Sequence, residues 1–215
     1  MIKKTLTVLL FFILCATHFK AQNRFFLGIS GGITACQVHG DTLNGFHKMG
    51  TMAGIFVHYK WFENFYPQIG IIYIQKGARA NPDTIHHAQY LLRLNYIEIP
   101  INFKWILLKN RYFLSFGHSV GYLFKAYEEK NYMDITSYVH NQKFEFSINA
   151  GLGANLNKYW NVELRSNNSY LPFRYYAFPS NIYYNNPIAK IFNRGLYNNI
   201  LQLIITYHIY GKEKT

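Results

Sequence analysis

The chain has little that could hold an exported domain together covalently, with two cysteines in 215 residues. Cys15 falls inside an N-terminal leader, so Cys36 stands alone in the mature chain and an intrachain disulfide is excluded. Acidic residues are scarce as well: ten Asp and Glu face 22 Lys and Arg, for a formal charge of +12. Loss of Lys3, Lys4 and Lys20 with the leader leaves the chain basic. No recognition motif accompanies that charge, which rules out nucleic acid as the partner of an exported chain. Anionic lipid headgroups suit it better, as do interfaces where Lys and Arg anchor strand ends. After residue 21 no apolar run approaches the ~20 residues of a membrane helix, so the chain is either soluble after export or a membrane β-barrel.

Aromatic residues, by contrast, are abundant: 19 Tyr, 18 Phe and 3 Trp. That is the composition of strands whose ends lie in aromatic girdles at the two faces of a membrane. Lys3 and Lys4, followed by an apolar stretch over residues 6–14, form a secretory signal too short to cross a bilayer as a helix. Cleavage is expected between Ala21 and Gln22, giving a signal peptide of residues 1–21 and one domain of residues 22–215. Leu14 is not the small residue that a lipoprotein signal places before its cysteine, so Cys15 is not a lipidation site.

Behind the leader, eight segments alternate apolar and polar residues with period two, the spacing of a strand. In residues 143–155, Phe144, Phe146, Ile148, Ala150, Leu152 and Ala154 oppose Lys143, Glu145, Ser147, Asn149, Gly151 and Gly153. Residues 111–125 repeat the pattern, with Tyr112, Leu114, Phe116, Val120, Tyr122 and Phe124 on the apolar face. The remaining segments are 25–35, 51–61, 65–77, 92–105, 161–169 and 199–210. Segment 65–77 is apolar on both faces, since Ile72 and Ile74 alternate with Ile69, Ile71 and Tyr73, and its facing stays open. Pro100 removes an N–H from segment 92–105, where a bulge is expected.

The connections near Glu63, Lys109 and Lys158 are short, and those near Gly40, Pro82, Met133 and Ser180 are long. Outer-membrane barrels are lopsided in this way, with short periplasmic turns and longer extracellular loops. The expected fold is therefore all-β, an eight-stranded antiparallel up-and-down transmembrane β-barrel, monomeric and in the cell outer membrane. A secreted lipocalin-like binding barrel, with the apolar face inside, is the alternative. Central charges on the polar face and aromatics at the ends of the apolar face weigh against it.

Leu94, Asn95, Tyr96, Ile97, Glu98, Ile99, Pro100 and Ile101 resemble the hallmark strand of the PorT-like outer-membrane β-barrel proteins of the Bacteroidetes. Gly28 to Gly32, the pair Gly40 and Asp41, the pair Ala53 and Gly54, and Tyr73, Gln75, Lys76 and Gly77 resemble the same family in the same order. The likeness spans the mature chain. It implies an eight-stranded barrel with no assigned catalytic residue and, for the founding member, a part in protein export by the type IX secretion route.

Lys60, Glu98, Lys104, Glu145, Glu163 and Arg165 fall on the polar face. An eight-stranded barrel is just wide enough inside for side chains to fill, so these charges are expected to pair as a network in a packed lumen, with Glu98 beside Lys104. A small-solute channel is the rival reading. His118 and Ser119 are strand neighbours facing opposite sides and cannot share a proton, so no catalytic residue is assigned and no enzyme is expected. His39, His47, His86 and His87 lie in long loops, where histidines are usually just solvated, and no metal or cofactor is expected. The last long loop holds Phe173, Arg174, Tyr175, Tyr176, Phe178, Tyr183 and Tyr184. Aromatic and basic residues on an exposed loop form contact surfaces, here for secretion or surface proteins, or else they pack on one another above the membrane.

Overall fold

A computed structural model of the chain describes residues 25–41, 43, 45–80, 89–108, 110–176 and 194–209. Its strands are β1 (Phe25–His39), β2 (Lys48–Tyr59), β3 (Phe65–Ala80), β4 (Tyr90–Leu107), β5 (Tyr112–Lys130), β6 (Met133–Asp134), β7 (Phe144–Asn155), β8 (Trp160–Ser169), β9 (Arg174–Tyr175) and β10 (Gly195–Ile209). β6 and β9 are two-residue additions to β5 and β10. The other eight form a ring of antiparallel neighbours, closed where β1 pairs with β10 from Leu27 opposite Ile209 to His39 opposite Tyr197.

Strand register fixes the width of this barrel. Stepping sideways from Leu27 leads through Val57, Ile69, Ile101, His118, Ile148, Asn168 and Asn199 and returns to β1 at Gln37, ten residues further along. That stagger in an eight-stranded sheet corresponds to strands tilted by roughly 35–45° and an interior that side chains fill.

The two faces settle which side meets lipid. Ile29, Ile55, Ile71, Ile99, Leu152 and Leu203 all project outward and are exposed. Trp61, Trp105, Tyr112 and Trp160 gather on that outer face at the short-turn end, and Tyr122, Phe124 and Phe144 toward the other. An apolar band between aromatic girdles is the lipid face of an outer-membrane barrel, and the charged residues of the opposite face are buried. The faces of a lipocalin-like barrel would be reversed, so that alternative falls. In β3 the open facing resolves with Ile72, Ile74 and Lys76 inside and Ile69 and Ile71 outside.

Pro100 makes no bulge, contrary to expectation. The β3–β4 ladder lapses between the pairs Ile69–Ile101 and Ile72–Glu98 but keeps its register across the gap. Proline lacks one donor, so the strand loses a rung and not its alignment. The register shift of β4 lies on its other side, where Asn95 pairs with Lys125 and Tyr96 with Leu123, leaving Phe124 of β5 as the extra residue.

Beyond Phe124, β5 runs on past the girdle, turns through Asn131 and Tyr132, and returns as β6. Both turn residues have positive φ, 51° and 64°, the conformation that a tight two-residue hairpin demands. Gly77 is constrained in a similar way, because its φ of +131° disfavours other residues and a Cβ there would stand 2.1 Å from the Leu92 carbonyl oxygen. Gly77→Ala is expected to lower barrel stability by about 1–3 kcal/mol. The urea midpoint of the refolded barrel in lipid vesicles measures this, and an unchanged midpoint would refute the constraint.

Candidate functional site

The strongest concentration of chemistry lies inside the barrel. Inward positions on β3, β4 and β7 bring Lys76 between two carboxylates, its Nζ 2.5 Å from Glu145 Oε1 and 2.9 Å from Glu98 Oε2. Amides complete the cage: Lys76 donates to Asn167 Oδ1 at 2.8 Å, Asn167 donates to Glu98 Oε1 at 3.1 Å, and Asn198 donates to Glu145 Oε2 at 2.5 Å. Lys76 is 0% exposed, so each of these bonds acts without competing water.

A second cluster sits nearer the short turns. Arg165 grips Glu163 with both Nε and a terminal nitrogen, at 2.8 and 2.9 Å, and Ser115 donates to the same carboxylate at 2.5 Å. Lys104 stands 3.5 Å from Glu163, with its Nζ 4.5 Å from the centre of the Phe113 ring. Phe113 has room to lie there because its ring covers Gly153, where a Cβ would come within 2.2 Å of it. Asn149 donates to Asn102 at 3.0 Å and to Ser119 at 3.4 Å, and Asn167 of the first cluster donates to Asn149 and Ser119 in turn.

Beside and above the ion pairs the lumen is apolar, with Val38, Met52, Ile72, Ile74, Leu92, Leu94 and Ile204 in one buried cluster. Phe173, from the last long loop, belongs to that cluster and is 0% exposed. Two backbone bonds hold it inside, its N–H to Leu196 at 2.9 Å and its carbonyl to the Gln142 N–H at 2.7 Å. Arg174 beside it clamps Glu128 with two guanidinium nitrogens and donates to Asn141 at 2.9 Å. Partial burial opposes its charge, but the bonds to Glu128 prevail and hold the guanidinium above its usual range.

The six charges expected in the lumen thus occupy distinct places. Glu98 and Glu145 meet at Lys76, while Lys104, Glu163 and Arg165 form the second group. Glu98 and Lys104 do not pair, being about 20 Å apart along β4 at strand rise. Lys60 lies at the short-turn mouth and enters none of the ion pairs among the described residues. Lys76 is the central residue missing from that set. Its shared parity with Gln68, four pairs of positions earlier on β3, was the available signal.

Of the loop aromatics, Phe173 points inward, Arg174 is clamped, and Tyr175 and Tyr176 are exposed. Phe178, Tyr183 and Tyr184 lie outside the described residues, as do His86, His87 and the leader 1–21. His118 projects toward lipid with its ring edge against Tyr170, while Ser119 is buried beside Asn149 and Asn167.

Residues 20–169 match the family described as outer membrane protein beta-barrel domain, and the chain belongs to that family. It is an outer-membrane protein. No curated protein matches it in sequence. Among solved structures it is similar to Ail, the attachment invasion locus protein of Yersinia pestis, in complex with the heparin analogue sucrose octasulfate, at 12% identity and TM-score 0.48 over 86% of this chain and 99% of that one. Neisserial surface protein A is similar at 9% identity and TM-score 0.49, over 85% and 96% of the two chains. OprG from Pseudomonas aeruginosa is similar at 9% identity and TM-score 0.46, over 88% and 98%.

Removing the central cation tests the lumen network. Lys76→Met strands two buried carboxylates and is expected to cost about 3–5 kcal/mol. Adding Glu98→Gln and Glu145→Gln to the same chain removes the stranded charges and should recover most of that loss. Urea titrations followed by tryptophan fluorescence compare the two variants; an equal loss in both would show that charge pairing is not the source.

Proposed function

From its membership of an outer-membrane barrel family, we infer that the chain is a non-enzymatic, monomeric barrel with a closed lumen that assists protein secretion or surface assembly through its extracellular loops. The observation that carries this reading is the contrast between the two sides of the outer rim. Inside, Phe173 and the Arg174–Glu128 clamp stopper the lumen. Outside, the same rim leaves aromatic side chains bare: Tyr138 is 82% exposed, Tyr132 is 69% exposed, and Tyr175 is 51% exposed. Bare aromatics on loops held by a rigid scaffold supply contact area at low entropic cost, as protein interfaces require.

The likeness of residues 94–101 to the PorT-like proteins of the Bacteroidetes favours a secretion partner over a small solute. Residues 1–21 serve as the removable export signal and residues 22–215 as the barrel domain. Anionic lipid headgroups are the second partner, because Arg79, Arg93 and Lys125 project outward from β3, β4 and β5 just above the apolar band.

Deleting residues 175–186 is expected to leave the heat-modifiable gel mobility of the barrel intact while reducing the amount of exported or surface-displayed protein in the cell. Unchanged export would remove the accessory role. The channel reading has its own measurement: planar bilayers containing the purified barrel should show no large, stable conductance steps, and their presence would establish a pore.

A further inference from the structure

The short-turn end of the lumen, which faces the periplasm, opens into a cavity of about 440 Å³. Lys60, Lys104, Lys158, His58, His208 and Asn161 stand in its wall, and among the described residues lining it none is acidic. The deepest cation, Lys104, is 6% exposed. Its only carboxylate neighbour among the described ion pairs is Glu163, at 3.5 Å, and Arg165 already holds both oxygens of that group.

Lys104, Arg165 and Glu163 therefore carry one surplus positive charge, located at the cavity. The Lys76 cluster carries one surplus negative charge, but Glu98 is about 20 Å from Lys104 along β4 and cannot neutralise it directly. A buried charge without its counterion is costly, and the cavity beside this charge is a basin walled by further cations.

The wall also offers a hydrogen-bond acceptor. Asn161 is 2% exposed, and its Nδ2 lies 2.7 Å from His208 Nε2. Its Oδ1 is buried and has no hydrogen-bond partner among the described residues. The rings of His58 and His208 meet edge to face at 5.1 Å, which holds His208 against Asn161.

We propose that this mouth is a binding site for a periplasmic oxyanion, the phosphate or carboxylate group of a small ligand that also carries an O–H or N–H. The anion sits against Lys104 between Lys60 and Lys158, and the donor satisfies Asn161 Oδ1. The site is independent of the extracellular loops and faces the opposite compartment.

The test uses the refolded full-length barrel in phosphate-free detergent solution, titrated with inorganic phosphate in one arm and N-acetyl-D-alanine in the other. Calorimetry is expected to give saturable binding of at least one probe, weakened tenfold or more in Lys60→Gln/Lys158→Gln and unchanged in the outer-end pair Lys130→Gln/Lys143→Gln. Binding of phosphate alone identifies a phosphate-bearing ligand, and binding of N-acetyl-D-alanine alone a carboxylate-bearing one. In the unaltered barrel, the same titration should move the His58 and His208 ring resonances, a readout that needs no variant. Saturation by neither probe, still histidine resonances, or equal losses in both double variants, the mark of an adventitious ion only, would overturn the proposal.

Discussion

The seam between β1 and β10 is the constraint from which the remaining architecture follows. In lipid no water can satisfy a bare strand edge, so the first and last strands must find each other over their whole length. Closing eight strands with a stagger of ten residues leaves an interior only as wide as its own side chains. Everything polar that points inward is then packed against something else, and the choice of partner becomes a question of stability.

Three cations and three carboxylates meet that condition in two groups of opposite surplus. Lys76 with Glu98 and Glu145 lies toward the apolar, stoppered half of the lumen, and Lys104 with Arg165 and Glu163 toward the open mouth. The arrangement divides one narrow tube into an apolar outer zone, a charged middle and a basic vestibule. Each zone faces what suits it: the outer zone takes in Phe173 from its own loop, and the vestibule opens at the short-turn end.

Much of this was legible in the sequence, and the failures have physical causes. Residues 143–155 alternate so cleanly that β7 and its facing follow at once, because one side is wholly in lipid and the other wholly in the lumen. β3 is unclear because its upper half faces an apolar part of the lumen, so both sides are greasy, and Lys76 is lost among Ile72 and Ile74. Pairing of Glu98 with Lys104 fails because residues on one strand diverge along its length while register across strands brings distant residues together. Pro100 misleads because the absent rung leaves the register intact. The inward turn of Phe173 depends on backbone bonds to Leu196 and Gln142, residues that only the closed barrel brings near.

The extra residue of β5, Phe124, acts as a frame shift in the inside–outside code of that strand. Below it the odd-numbered residues Ser115, Ser119 and Leu123 look inward; above it the parity reverses and Glu128 does so. Had the same residues alternated strictly with none left over, Glu128 would face outward and Arg174 would have no carboxylate to clamp. Loss of the Phe124 codon would remove the leftover residue and its local twist while Ala126 opposite Leu94 and Glu128 opposite Leu92 kept their faces. One codon gained between Phe124 and Glu128 would be the damaging change, exchanging the inner and outer faces of what β5 carries beyond it and freeing Arg174, some fifty residues away in the chain, from its carboxylate.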